Sequence, residues 1–381
     1  MISTLFIRLP DRELRPFIHY QPRAQYMYLT NTKTTMQIPG RTSARTVHAI
    51  LYLVILLQIV QPARAYCPVV ICPGFCNDAI DYDTPLEQPS TVGLKSVLSR
   101  RGFDMDQIYT VPVQRSDWIR VAGGLLDIPG FYTGNAQPTG LGYGWYIERL
   151  KKEVDRAYEE SGGQKVILMG HSAGGWLARA ALGDGTWSQS ESDNQSENEN
   201  ENEELNTILT SERVACLVTM GAIHKTPSEE STCVTRGALK NTDAQFPGAY
   251  LKDQGVKYVS IGGAAIEGEM TDRSVKELRS KAKRIAYDSY EAVSGVGDQT
   301  GDGVVPFEWT QLDGSRKIRL DGVLHSINEA GTTMPTDRWY GSEGVVDRWL
   351  PDVLEELDLG NNKNSKNSNH VFNSFRKVSQ W

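Results

Sequence analysis

Apolar positions along this chain fall into two rhythms. Short unbroken runs occur at 68–73 (PVVICP), 107–113 (QIYTVPV), 165–169 (KVILM), 214–220 (VACLVTM) and 257–262 (KYVSIG). Runs of this length and kind read as strands buried on both faces. RKIRLDG at 316–322 is a further strand-like segment. Between the runs, apolar residues recur at helical spacing over 145–161, 173–183 and 345–358, and TVGLKSVLSRRG within 84–103 is one more helix. Pro351 is expected to bend the last helix or to start a second one. Alternating strands and helices predict an α/β layered domain, with a mostly parallel central sheet flanked by helices.

Three stretches break the rhythm. Residues 188–204, SQSESDNQSENENENEE, show no apolar period and carry seven acids and no base. They read as a disordered surface excursion. Asn194-Gln195-Ser196 within it is a glycosylation sequon if the chain enters the secretory pathway. Residues 361–381 form a polar tail with four bases and no acid. The loop 114–144 is rich in glycine and aromatics, among them Trp118, Phe131, Tyr132 and Tyr143. Residues 223–255 are the best place for a small cap, and read equally well as ordinary loop and helix.

The first 65 residues are a separate matter. AILYLVILLQIV at 49–60 follows Arg41 and Arg45 and precedes Ala63-Arg64-Ala65. A basic flank, a short apolar core and an A-x-A end make a signal-like segment over 36–65, counted from Met36. The run is short for a transmembrane helix, and an anchored form is the alternative. The organisation expected is therefore a targeting leader at 1–65, one domain at 66–360 and the tail at 361–381. The location expected from these residues is the secretory pathway.

Composition narrows the function. The chain has 381 residues, a net charge of -7 and 39% hydrophobic residues, enough for one large core. With the leader and tail set aside, the domain is acidic, so no nucleic acid partner is expected. Five cysteines and six histidines show no paired CxxC spacing, and no metal or other cofactor is called for. Cys72 and Cys216 lie in strand patterns and read as small buried hydrophobes. Cys67 or Cys76 could pair with Cys233 in an oxidising compartment.

The most informative residues are Gly170-His171-Ser172-Ala173-Gly174, between an apolar strand and the small-residue helix start WLARAAL. A G-x-S-x-G pentapeptide in a strand–turn–helix context is a nucleophile elbow, which lifts the serine hydroxyl above the sheet. A serine hydroxyl needs a base, and the base needs an orienting acid, in the chain order Ser, Asp/Glu, His. His325, in a loop beyond the last strand, is the expected base; His224 is second, and His370 lies in the tail. Asp302, between Gly301 and Gly303, is the expected acid, ahead of Asp298; Asp321 belongs to a turn. The developing oxyanion needs two donors. The Ala173 N–H follows the nucleophile, and Phe75 N–H in Pro73-Gly74-Phe75 is the second, with Cys76 behind it. His171, His224 and Trp118 are expected at the pocket or packed behind it.

PVVICPGFCNDAIDY, GHSAGGWLAR, GDGVVPFEW and GVLHSINEAGTTMPTDRWYG together resemble the lipase-like branch of the α/β-hydrolases, and within it a poorly characterised plant, algal and cyanobacterial group. The resemblance covers roughly residues 68–352 apart from the acidic insert. It implies an α/β-hydrolase fold, Ser172 as nucleophile, Asp302 as acid, His325 as base, and Phe75 and Ala173 as oxyanion donors. Plastid targeting is common to many members of that group. The usual Gly-Thr-Pro-His after the next strand is replaced here by Gly221-Ala222-Ile223-His224. The activity implied is hydrolysis of carboxylic esters, with lipid or acyl esters favoured by the aromatic loop. Transient contact with a membrane surface would accompany such substrates. The competing functions are a thioesterase or acyltransferase using the same residues, and a non-catalytic binding protein on a hydrolase fold.

Overall fold

A computed structural model describes residues 66–126, 130, 132–183, 210–227, 234–272 and 274–358. The leader at 1–65, Phe131, the acidic insert at 188–204, Cys233 and the tail at 361–381 with His370 lie outside the described residues.

The apolar runs form strands β1 (Val69–Cys72), β2 (Ile108–Thr110), β3 (Val166–His171), β4 (Val214–Met220) and β5 (Lys257–Ala264). Two short strands follow, β6 (Ile266–Glu267) and β7 (Thr300–Gly301), and then β8 (Arg316–Asp321). Six strands make the central sheet in the order β2-β1-β3-β4-β5-β8, and every neighbouring pair is parallel. β6 and β7 pair antiparallel beside it. Successive strand residues point to opposite faces. Val70, Cys72 and Leu168 therefore enter one buried cluster, while Val69, Ile71, Ile167 and Met169 enter the other. Burial on both faces explains why these strands read as continuous apolar runs.

Helices cover both faces. On one side lie α1 (Leu94–Ser99) and, at the chain's far end, α6 (Glu343–Glu356), whose Val346, Trp349 and Val353 are fully buried. On the other lie α2 (Gly144–Glu160), α3 (Ala173–Gly183) and α4 (Ala238–Gln245). In α2 the buried residues Tyr146, Ile147, Leu150, Val154 and Ala157 recur at helical spacing and form one stripe. Helix α5 (Leu278–Ser294) packs near β6.

Several local expectations change. The segment 84–103 holds two 3-10 turns before the short α1, because Pro85 and Pro89 interrupt it. Pro351 neither ends nor restarts the last helix: α6 runs through it, held by buried Trp349 and Leu350 before it and Val353 and Leu354 after it. The loop 114–144 contains a long 3-10 run, Arg115–Leu126. Cys67 and Cys76 are free thiols, as are Cys72 and Cys216. Residues 223–255 contribute α4, whose Leu239 is buried in the main core. Among the described residues no helix is long and apolar enough to cross a membrane.

The strand order locates a site. The chain passes from β1 to β2 on one side, then returns to place β3 on the other side of β1. Ligands of open parallel sheets bind in the crevice beyond the carboxyl ends of the strands at such a reversal. Here that crevice is bounded by Pro73-Gly74-Phe75 after β1 and by Ser172 after β3.

Candidate active site

Sheet register assembles the centre. Cys72 pairs with Gly170, and His171 pairs with Met220, so the exits of β1, β3 and β4 lie side by side. Ser172 has a φ of 51°, in the left-handed region. A non-glycine residue held there is strained, and strain of this kind is retained where the surroundings over-determine it. Two bonds do so: Ser172 N–H donates to the Met220 carbonyl at 2.9 Å, and Gly175 N–H donates to the Ser172 carbonyl at 3.0 Å. The flanking glycines let the backbones approach. A Cβ at Gly174 would stand 2.1 Å from the Cys72 carbonyl oxygen, and one at Gly74 would stand 2.8 Å from Ser172 Cβ. The turn after β1 is thereby pressed against the nucleophile elbow.

The two expected oxyanion donors flank this point. Neither the Phe75 N–H nor the Ala173 N–H donates to any group among the described residues. The neighbouring Gly74 N–H is taken by the Tyr82 hydroxyl at 3.0 Å. Phe75 is half exposed, and Trp118 packs beneath it with ring centroids 5.2 Å apart. Trp118 Nε1–H donates to the Asn77 carbonyl at 3.1 Å. Trp118 is thus packed under the Gly74-Phe75 turn, 3% exposed.

Asp302 and His325 form a buried pair, with His325 Nδ1 2.8 Å from Asp302 Oδ2. The Asp302 carboxylate accepts three further bonds: Val304 N–H at 3.0 Å and Val305 N–H at 2.8 Å on Oδ1, and the Tyr340 hydroxyl at 2.8 Å on Oδ2. Burial and the adjacent carboxylate hold the Tyr340 phenol protonated, far above its ordinary pKa. It therefore donates to Asp302, while its oxygen accepts Gly263 N–H at 2.7 Å. With His325 Nδ1–H directed at the carboxylate, the lone pair of Nε2 is left to accept a proton. His325 N–H also donates to the Asp302 carbonyl at 2.9 Å. The pair sits over the end of β4 because Gly221 has no side chain. A Cβ there would stand 2.7 Å from Asp302 Oδ2 and 3.0 Å from His325 Nδ1, on a backbone with φ of +60°.

The Ser172 hydroxyl makes no hydrogen bond among the described residues, and the hydrogen bond of the His325 ring goes to Asp302. His171, the residue before Ser172, has its ring 5.0 Å from that of His325 and its Nε2 2.9 Å from the His325 carbonyl.

Other expected residues lie elsewhere. Asp298 is exposed, and Asp321 pairs with Arg319. His224 is buried 3.0 Å from Thr219 Oγ1, and its backbone N–H donates to the Trp309 carbonyl. Burial, then the Arg179 charge, holds its imidazole neutral. Arg179 is itself fully buried in α3 and paired with Asp243. His171 is buried behind the elbow, and burial together with His325 pushes its pKa down to about 3. Tyr82, Tyr340 and Gly221 take part in the site but carry no catalytic motif of their own. Among the described residues, no group of three or more His, Cys, Asp or Glu side chains could hold a metal ion.

A six-stranded parallel sheet of this order, with a strained Ser172 after β3, an aspartate after β7 and a histidine after β8, has the arrangement of the α/β-hydrolase fold. No family model matches the chain, and no curated protein matches it. Solved structures do resemble it. The Bacillus licheniformis lipase BlEst2 in mature form is 13% identical, with 78% of this chain and 94% of that one covered and a TM-score of 0.43. Lipase 1 from Pelosinus fermentans is 15% identical, covering 72% and 96%, with a TM-score of 0.36. The phospholipase PlaB from Legionella pneumophila, in complex with thio-NAD, is 13% identical and covers 65% of this chain, with a TM-score of 0.35. The chain spans 44% of PlaB's length. Likeness at this level carries no functional weight, and the architecture is read from the strand order itself.

Proposed function

We propose that this protein is a serine hydrolase of carboxylic esters, acting through Ser172, Asp302 and His325. The observation that carries the reading is a strained serine flanked by two undonated backbone N–H groups, with a buried carboxylate–imidazole pair over Gly221 at the end of the adjacent strand. In this reading His325 Nε2 takes the Ser172 proton as Oγ attacks the ester carbonyl. The Ser172–His325 bond forms as substrate is bound, since resting sites are often looser than reacting ones. Asp302 holds the imidazole in the Nδ1–H tautomer and stabilises the imidazolium that develops. The Phe75 and Ala173 N–H groups receive the oxyanion. His325 then protonates the leaving alcohol, and water repeats the cycle on the acyl-enzyme.

Exposed apolar side chains support an apolar acyl group. Phe75 at the oxyanion turn, with Ile119, Leu126 and Leu141 from the aromatic loop, leaves large apolar side chains in solvent. Lipid or acyl esters are therefore the substrate class, with transient contact at a membrane surface where such esters reside. Placement in the plant, algal and cyanobacterial branch rests on the motif text alone.

Labelling with a fluorophosphonate tests the nucleophile. The wild-type protein is expected to label, and Ser172→Ala to lose both labelling and turnover of an acyl-ester series. Equal labelling of the two proteins would sink the assignment.

A further inference from the structure

Beneath the reacting groups runs a second line of buried polar atoms. Gly74 N–H lies 3.0 Å from the Tyr82 hydroxyl oxygen. That hydroxyl lies 2.9 Å from His171 Nδ1. On its far side, His171 Nε2 lies 2.9 Å from the main-chain carbonyl of His325. Tyr82 and His171 are each 1% exposed.

Every proton in this line has one place. A carbonyl only accepts, so His171 Nε2 carries the hydrogen. The ring is neutral, because burial and the neighbouring His325 oppose its charging. Nδ1 is then an acceptor, and the Tyr82 O–H donates to it. Burial keeps the Tyr82 phenol protonated. Its oxygen is free to accept Gly74 N–H. A protonated His171 would present a hydrogen at Nδ1 and leave the Tyr82 proton without an acceptor.

We propose that Tyr82 and His171 are positioning residues that tie the oxyanion turn at Gly74-Phe75 to the main chain of His325, fixing the distance between the oxyanion donors and the base across Ser172. The proposal rests on the serine-hydrolase reading above. A packing role would need only volume, and apolar rings would fill it without the cost of burying three polar side-chain atoms. The line is worth retaining where it joins two segments that must move together. Those segments are far apart in sequence, and both face charge that grows in the transition state: the oxyanion on one side, the imidazolium on the other. His171 also stays out of the proton transfer, since a neutral ring with Nδ1 and Nε2 both engaged offers His325 no competing base. Loosening the line is therefore expected to act on the chemical step more than on substrate binding.

Three variants separate the bonds from the volume. Tyr82→Phe keeps the ring and deletes both of its hydrogen bonds. His171→Asn can accept from Tyr82 but is too short to reach the His325 carbonyl. His171→Gln extends an amide N–H toward that carbonyl. Fluorophosphonate labelling rates and the kcat and KM for p-nitrophenyl butyrate would be measured, with thermal unfolding to establish folding. Tyr82→Phe and His171→Asn are expected to lower kcat about tenfold to a hundredfold with KM little changed, the size of effect a small misplacement of reacting groups produces. His171→Gln is expected to recover part of the loss. Folded Tyr82→Phe with the wild-type kcat would overturn the proposal, as would equal losses in the Asn and Gln variants or a loss confined to KM. If His171→Asn does not fold, Tyr82→Phe decides alone. A wild type that labels while the variants match it overturns the positioning role only. A wild type that neither labels nor turns over overturns the serine-hydrolase reading, and this proposal with it.

Discussion

On one side of the site, Ser172, Ala173 and their glycines occupy five consecutive residues, and the oxyanion turn reaches them through adjacent strands, Cys72 beside Gly170. On the other side, Asp302, His325, Tyr340 and Gly221 come from four segments of the chain. The first side is shaped by backbone conformation and close approach. The second is held by a carboxylate that accepts four hydrogen bonds. The contrast teaches that one half of the centre is built around a pentapeptide and its neighbouring strands, while the other is gathered from four separate segments. Substitutions on the second side should therefore act through the network and not through the replaced group alone.

The largest expected effect on that side is Asp302→Asn. The amide keeps the shape but can present a hydrogen to His325 Nδ1 and favour the wrong tautomer, so under the proposed mechanism kcat is expected to fall by about 10⁴-fold, the effect this change has in a Ser-His-Asp triad. Steady-state kinetics at pH 7 would measure it. Turnover within a few-fold of wild type would mean that Asp302 is not the orienting acid and that the second side is structural.

Gly221→Ala should come next. It alters no hydrogen-bonding group, yet its Cβ would stand 2.7 Å from Asp302 Oδ2 and 2.9 Å from Tyr340 Cε2, both rigidly held. The φ of +60° adds strain, so stability should drop by about 1–3 kcal/mol. Displacement of the acid–base pair should lower kcat by about a hundredfold. Denaturant melts and kinetics on the same preparation would report both. An alanine variant with wild-type kcat would show that the pair tolerates displacement, and would blur the distinction between the two sides.

The same contrast explains what could be read without coordinates. Strands β1, β3, β4 and β5 were legible because burial on both faces leaves unbroken apolar runs. Helix α5 was not, because Ala286, Tyr290 and Val293 are its only buried residues and they lie among charged ones. The Arg115–Leu126 run has only two buried residues, Trp118 and Gly124, too few to set a period. At the site, Ser172 announced itself because its glycines are sequence neighbours. Gly221 belongs to the stretch where Ala222-Ile223 replace the usual Thr-Pro, but its own role depends on Asp302 arriving from another segment. Tyr82 and Tyr340 carry no signal, since a tyrosine becomes a positioning group only by what lies within hydrogen-bond reach of its hydroxyl. His224 follows a strand end as a base would, yet its ring is buried with Nε2 on Thr219.

The smallest effect concerns stability and belongs to the elbow side. His171 has its pKa pushed from 6.5 down to about 3 by burial and by His325. Unfolding exposes the ring and restores the ordinary value, so between these two pH values the unfolded chain binds more protons than the folded one. Stability must then rise with pH through this window and fall as pH drops from about 6.5 toward 3. His171→Gln removes that proton uptake while leaving the surrounding groups, Tyr82, His325 and Asp302, in place. His224 is shifted in the same direction in both proteins and cancels from the comparison. The expected result is a shallower fall of Tm with acidification for His171→Gln than for wild type, with parallel curves above pH 7. The slopes are the quantity to compare, because the substitution also changes packing and offsets the Tm at every pH. Parallel slopes below pH 6.5 would mean that the imidazole is already protonatable in the folded state, and that the elbow side is less firmly buried than its 1% exposure implies.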